Sequence, residues 1–217
     1  MLDKNIPFKH IYMKIAAQDL LQVQVPALPK GYRFRFYQPG DEKHWAKLEL
    51  AVAEFETDKA ALERYQAEFL PGGERLEKLR EQYHLPVIDL TKRQVFIEDA
   101  KGQVVATATA WFADKQGVFQ PILHWVSVDP TRQGLGLGQA VVAKVLSLFP
   151  ELNPGQDVML HTQTWSYPAV VLYHKLGFYL CKNEGLRLDN DYHHGLLEVL
   201  ATVIKEPILT EIKQVTK

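Results

Sequence analysis

Residues Val126–Ala140, VSVDPTRQGLGLGQA, place an apolar strand directly before three alternating glycines and a helical run. A strand that turns through glycine into a helix presents backbone N–H groups at the helix N-terminus, where the peptide dipoles favour an anion. Gly134, Gly136 and Gly138 lack the Cβ atoms that would block close approach of a phosphate. The segment is therefore either a phosphate cradle or a bare flexible turn. Two nucleotide readings fail. A P-loop requires Gly-Lys-Ser/Thr, and Gly138 is followed by Gln139 and Ala140. A dinucleotide fingerprint spaces its glycines G-x-G-x-x-G, whereas here the spacing is G-x-G-x-G.

The flanking sequence sets the class of fold. Tyr32, Phe34 and Phe36 alternate with polar positions and predict a strand, and Asp41 is a plausible N-cap for the helix after it. Trp45, Leu48, Val52 and Phe55 follow helical spacing, as do Leu62, Tyr65 and Phe69, then Leu76, Leu79 and Tyr83. The charges between them read as solvated faces. Residues 94–98 and 103–112 flank Asp99–Gly102, a hairpin turn, and a second turn near 114–117 leads to a strand over 121–128. That strand closes an antiparallel meander rather than opening a βαβ unit, which also argues against dinucleotide binding. A helix over 134–149, a strand over 157–164, a helix over 168–176 capped by Gly177 and a short strand over 178–181 follow. Near the N-terminus, Ile11, Met13 and Ile15 alternate as a possible edge strand. The tail from Gly195 is helix-like until Pro207. The expected divisions are an N-terminal extension over 1–30, a domain over 31–188 and a helical tail over 189–217.

Composition narrows function less. The 25 Lys and Arg against 26 Asp and Glu give a net charge of -1, which disfavours a nucleic-acid binder driven by a basic surface. One cysteine, Cys181, permits no intrachain disulfide and leans toward a reducing compartment. No apolar stretch approaches the ~18 residues of a membrane span, and the N-terminus shows no secretory pattern. The expectation is a soluble cytoplasmic protein without nucleic-acid or membrane partners. His193 and His194 are adjacent and diverge in a helix or strand, so no metal site is expected there.

The glycine segment resembles the pyrophosphate signature Gln/Arg-x-x-Gly-x-Gly/Ala of the GNAT superfamily of acyl-CoA-dependent N-acetyltransferases, through Gln133–Gly138 preceded by Asp129 and Pro130. A second block of that family, A-x-x-L-Y-x-x-x-G-F, is matched by Ala169–Phe178. The two blocks stand in the family's order, and the resemblance covers about residues 31–182. The phrase His161–Tyr167 is similar to one in bacterial members. The resemblance implies an α/β fold: a mixed, mostly antiparallel twisted sheet flanked by helices, with splayed fourth and fifth strands. It implies an N-acetyltransferase moving an acetyl group from acetyl-CoA to a primary amine of a small molecule or protein. A non-catalytic acyl-CoA sensor, or an acyltransferase for a longer acyl group, shares these motifs.

For acetyl-CoA, the resemblance implies contacts from Val126, Ser127, Val128, Arg132, Gln133, Gly134, Leu135, Gly136, Leu137, Gly138, Gln139 and Ser166. Ser166 stands where many members carry Asn, and keeps a single hydrogen bond at most. Arg132 is equally a solvated loop residue. The tyrosine of the second block, Tyr173, lies near the cofactor sulfur in this family and can donate one hydrogen bond to a departing thiolate. His124, four residues before Val128, fits either a proton acceptor, since imidazole titrates near neutrality, or a satisfied strand histidine. Glu54 and His161 are rivals for the base, and the resemblance equally allows a water chain in its place. Glu54, read as the end of the first helix, is also the candidate for binding a cationic acceptor. The tail beyond Gly195 is expected to pack outside the chemistry, with a homodimer contact as one use.

Overall fold

The structure is a computed structural model that describes residues 2–186 and 188–217. Its elements run β1 (His10–Ile15), α1 (Ala17–Leu20), β2 (Arg33–Phe36), α2 (Glu42–Ala51), α3 (Asp58–Phe69), α4 (Glu74–Tyr83), β3 (Gln94–Glu98), β4 (Val104–Lys115) and β5 (Val118–Val128). There follow α5 (Leu137–Leu146), α6 (Phe149–Leu152), β6 (Val158–Gln163), α7 (Tyr167–Lys175), β7 (Tyr179–Leu180), α8 (Tyr192–His194), α9 (Ala201–Val203) and α10 (Ile208–Val215). Residues Gly195–Leu200 join α8 to α9 as a π-helical turn. The strands form a seven-stranded sheet in the order β2-β3-β4-β5-β6-β1-β7. Its pairings are antiparallel for β1 with β6 and β7 and for β3 with β2 and β4, and parallel for β5 with β6. This is the mixed, mostly antiparallel α/β architecture expected.

The chain divides into two compact units, and β4 and β5 each run from one into the other. One unit comprises Val25–Trp111 and Trp125–Leu148. Its core is aromatic: Trp45 of α2, Tyr65 and Phe69 of α3 and Trp111 of β4 are fully buried, with ring centroids 4.9–6.1 Å apart along the chain of contacts. Each such side chain contributes roughly 1.5–3 kcal/mol by leaving water, which is why the i, i+4, i+8 series Ala61, Tyr65, Phe69 holds α3 in place. The hairpin turn forms as expected, with Asp99 Oδ1 accepting from the backbone N–H groups of Lys101 (2.9 Å) and Gln103 (3.0 Å). Asp41 is the N-cap residue of α2, as expected, and its carbonyl accepts from the Trp45 N–H (2.9 Å), but its side chain makes no capping bond. Its carboxylate is gripped by both terminal nitrogens of Arg35 (2.6 and 2.7 Å) and by the Gln38 N–H.

The other unit comprises residues 2–24, Phe112–His124, and Phe149 onward. Here β1 is not an edge strand. It pairs with β6 along its whole length, Ile11 opposite Thr162 and Met13 opposite Leu160, and with β7 on its other side. Both of its faces are buried, because Tyr12 is covered as fully as Ile11 and Met13 and donates its hydroxyl to the Leu188 carbonyl (3.1 Å). Residues up to Gln24 lie inside this unit. Lys14 is satisfied by Glu184 (2.8 Å), which also binds Lys115. Cys181 is buried, and that burial pushes its thiol up to about 12, so no thiolate is present near neutrality.

Candidate active site

The glycine segment is built outward from the end of β5. The Asp129 N–H donates to the Val105 carbonyl (2.8 Å), and Asp129 Oδ1 accepts from both the N–H and the hydroxyl of Thr131 (2.8 Å each). A single turn over Pro130–Arg132 follows, and Gln133 Nε2 reaches back to the Val128 carbonyl at 3.4 Å. Gly134 and Gly136 hold left-handed backbone angles, φ +81° and +79°. A non-glycine residue is strained there, which gives the alternating glycines a structural cause. Gly136 is the N-cap of α5, and Ala140 N–H donates to its carbonyl (3.0 Å). The N–H groups of the first turn therefore have no acceptor within the helix. Residues 133–136 and Gln139 are exposed, Gly138 is half-buried, and buried Leu137, Ala140 and Val141 anchor the helix beneath. Arg132 faces Asp99, with Nη2 3.7 Å from the carboxylate, so its nearest charge is a protein group that fixes the turn.

Before the loop, Trp125 adopts φ +47° inside β5. That angle interrupts the pleat, so the alternation of side chains along β5 cannot be counted through from His124 to Val128. Val126 and Val128 are half-buried. Ser127 is 4% exposed, and its hydroxyl donates to Glu49 Oε1 at 2.7 Å. The side chain of Ser127 is thus engaged by Glu49, and what it offers a cofactor is backbone.

Sequence reasoning missed Glu49. It lies on α2 one turn after Trp45, is 0% exposed, and its Oε2 has no hydrogen-bond partner among the described residues. Burial pushes its carboxyl up to about 8, the Ser127 hydrogen bond opposes this, and the charge of Glu54 adds to it. The signal was a lone carboxylate on the face of α2 that carries Trp45 and Leu48. Around Trp125, the Trp45 ring is T-shaped at 5.1 Å, Phe55 stacks at 5.7 Å, and the Arg64 guanidinium sits 5.9 Å from the ring centroid.

Glu54 and Phe55 are not on a helix. α2 stops at Ala51 because Ala53 turns left-handed (φ +64°). The Glu54 N–H then donates to Glu49 O and the Ala53 N–H to Leu50 O, both at 3.0 Å. These paired bonds form a Schellman ending with alanine where glycine is usual. Glu54 is exposed in the connection between α2 and α3.

In the other unit, Tyr173 lies on α7, 7% exposed, its ring 5.9 Å from Phe178. Burial alone pushes its phenol above the usual range, so it remains a proton donor. The Gly-Phe end of the motif is a helix stop. Gly177 has φ +98°, the Phe178 N–H donates to Tyr173 O (3.0 Å), and a Cβ on Gly177 would meet Ile15 at 3.3 Å. Ser166 occupies the N-cap of α7 without a side-chain cap bond. His124 is half-buried on β5, where Ile122 pairs in parallel with Met159. His161 of β6 contacts His10, Nε2 to Nδ1, at 2.9 Å. Among the described residues, no three His, Cys, Asp or Glu side chains are placed to hold a metal ion, and no helix is long and apolar enough to cross a membrane.

A sheet of this order, with a glycine-capped helix after a disrupted fifth strand, defines a class that comparison with known proteins identifies. The sequence profile of the family described as "Acetyltransferase (GNAT) family" matches residues 57–178, and the chain belongs to that family. Among curated proteins, a mycothiol acetyltransferase of Thermobispora bispora is 30% identical over 70% of this chain and 48% of its own length. A second, from Pseudarthrobacter chlorophenolicus, is 28% identical over 84% of this chain and 50% of its own. The chain spans about half the length of the curated relatives it matches. Among solved structures, a GCN5-related N-acetyltransferase from Sphaerobacter thermophilus superimposes with a TM-score of 0.51 at 19% identity, over 81% of this chain and 49% of that one. This last likeness is one of fold.

Proposed function

We propose that the chain transfers the acetyl group of acetyl-CoA to a primary amine, by direct attack while both are bound. The observation that carries this reading is the glycine cradle, where two left-handed glycines open exposed N–H groups at the start of α5. The residues fit a diphosphate, because residues 133–139 contain no carboxylate to oppose it and the first-turn N–H groups need an acceptor. Acetyl-CoA supplies the activated acyl group as a thioester. For the chain's part, N–H groups of residues 134–139 would bind the pyrophosphate and backbone groups of Val126 and Val128 would orient the pantetheine arm. The Tyr173 hydroxyl would donate to the departing sulfur, and His124 would take the ammonium proton so that the nitrogen can attack. Exposed Glu54 would draw a cationic acceptor toward the site. The names of the curated relatives favour a small-molecule amine over a protein.

The test is calorimetry with coenzyme A on Gly136→Asp, beside Gly136→Asn as a control. Both side chains tolerate a left-handed backbone, so their difference isolates charge. The aspartate variant is expected to bind more weakly by at least ~2 kcal/mol, about 30-fold, and the asparagine variant by less. Unchanged affinity in a folded aspartate variant would remove the cradle. Release of free thiol from acetyl-CoA with a panel of amines then tests transfer.

A further inference from the structure

Three strands of one unit bring three histidines together. Ile122 of β5 pairs with Met159 of β6 in parallel register, and beyond that pair His124 is near enough for its charge to act on His161. Across the antiparallel pair with β1, His161 stands opposite Tyr12, and His10 is two residues away on the same face. The rings follow that order. His161 is 4.9 Å from Tyr12 and 5.0 Å from His10, centroid to centroid, and its Nε2 shares a hydrogen with His10 Nδ1 at 2.9 Å. His161 keeps solvent-exposed surface, whereas His124 is half-buried.

We propose that His161 and His10 form a relay that carries to solvent the proton His124 removes from the acceptor ammonium. The proposal rests on His124 being the base of the acetyl transfer. An amine N–H bond breaks and an N–H bond forms on His124. His124 then passes its proton to His161, and the His161–His10 pair releases one to water. Nothing is oxidised or reduced. A relay is needed because bound acetyl-CoA and acceptor would screen a half-buried imidazole, and His124 must lose its proton before each new cycle. Two neutral imidazoles joined by one hydrogen bond hold one donor and one open acceptor, so the pair takes up one further proton without rearranging.

The surroundings favour the neutral form of His161. Partial burial, then the charges of His10 and His124, hold the His161 imidazole well below the usual histidine range. Among the described residues, the titratable and charged groups facing the pair include His124 from β5, Tyr12 from β1, and Asp191, whose Oδ2 accepts from the His10 backbone N–H at 2.8 Å.

The test has two arms. In the first, imidazole 15N resonances are titrated in the ligand-free protein and in His161→Asn. The expected result is that His10 and His124 both change their titration curves in the variant, and that His10 Nδ1 loses its hydrogen-bonded shift. Unchanged curves for both histidines would overturn the relay. In the second, turnover is followed with acetyl-CoA and the most rapidly acetylated of glucosamine, spermidine and lysine amide. His161→Asn and His10→Asn should each lower kcat roughly 10–100-fold in dilute buffer, leave the KM for acetyl-CoA unchanged, and recover as imidazole buffer is raised. Wild-type turnover in both variants at low buffer would overturn the relay while a defective His124→Asn upheld the base. Full turnover in His124→Asn would overturn the base and the relay together.

Discussion

Glu49→Gln is expected to remove a fall in stability that burial of this carboxyl predicts for the wild-type protein between about pH 5 and pH 8. Burial raises the Glu49 carboxyl from its ordinary 4.5 to about 8. The folded state therefore keeps a proton that the unfolded state has already lost. Stability from this group is fully present below the unfolded value and is lost as pH rises through the folded one, at up to ~1.4 kcal/mol per pH unit. Across that window the wild type should lose ~2–4 kcal/mol that the E49Q variant keeps. At pH 5 the variant should be no more stable than the wild type, because an amide also leaves a buried group unpartnered. Urea titrations of both proteins at pH 5 and pH 8 measure the four values. Parallel pH dependence in the two would show that Glu49 ionises freely in the fold.

Tyr173→Phe is expected to lower kcat roughly 10–1000-fold, the span of a general acid, with little change in coenzyme A affinity. The ring packs beside Phe178 and is nearly buried, so phenylalanine keeps the contacts and deletes only the donor. Because burial raises the phenol further, ionisation of Tyr173 should not produce the basic limb of the wild-type pH profile. Steady-state kinetics over a pH series reads both effects. A variant with full turnover would leave Tyr173 as a packing residue.

What the sequence disclosed and what it hid divide along the range of the forces involved. The Asp99 turn, the left-handed glycines of the cradle and the Gly177 stop were legible because each is decided by a few neighbouring residues. The end of α2 was not, since Ala53 takes a conformation for which sequence offers glycine as the cue. Phe55 continued the helical spacing and then lay outside the helix, its ring held by Trp125, seventy positions away in the chain. Glu49 resembled the solvated charges around it, and only Ser127 shows that it faces inward. β1 looked one-sided because Tyr12 alternates with aliphatic residues, yet its hydroxyl finds the Leu188 carbonyl and both faces close. His10 was passed over for the same reason, as its partner His161 lies on a strand that is distant in sequence.

The insertion of β1 between β6 and β7 has a consequence for how the chain assembles in time. Synthesis delivers β1 first, but its partners on the two sides are Val158–Gln163 and Tyr179–Leu180. Until those emerge, a strand whose Ile11, Met13 and Ile15 face is apolar has no place to pair. The unit of residues 25–111 and 125–148 needs nothing later than Leu148. Pairings that close long loops are slow, and chains grow from the N-terminus. The nascent protein is therefore expected to hold β1 unpaired while the other unit can already form, which leaves the Ile11, Met13 and Ile15 face open to a chaperone. Pulse-labelled hydrogen exchange during refolding should find the amides of β3 protected before those of β1; simultaneous protection would mean that the sheet forms in a single step.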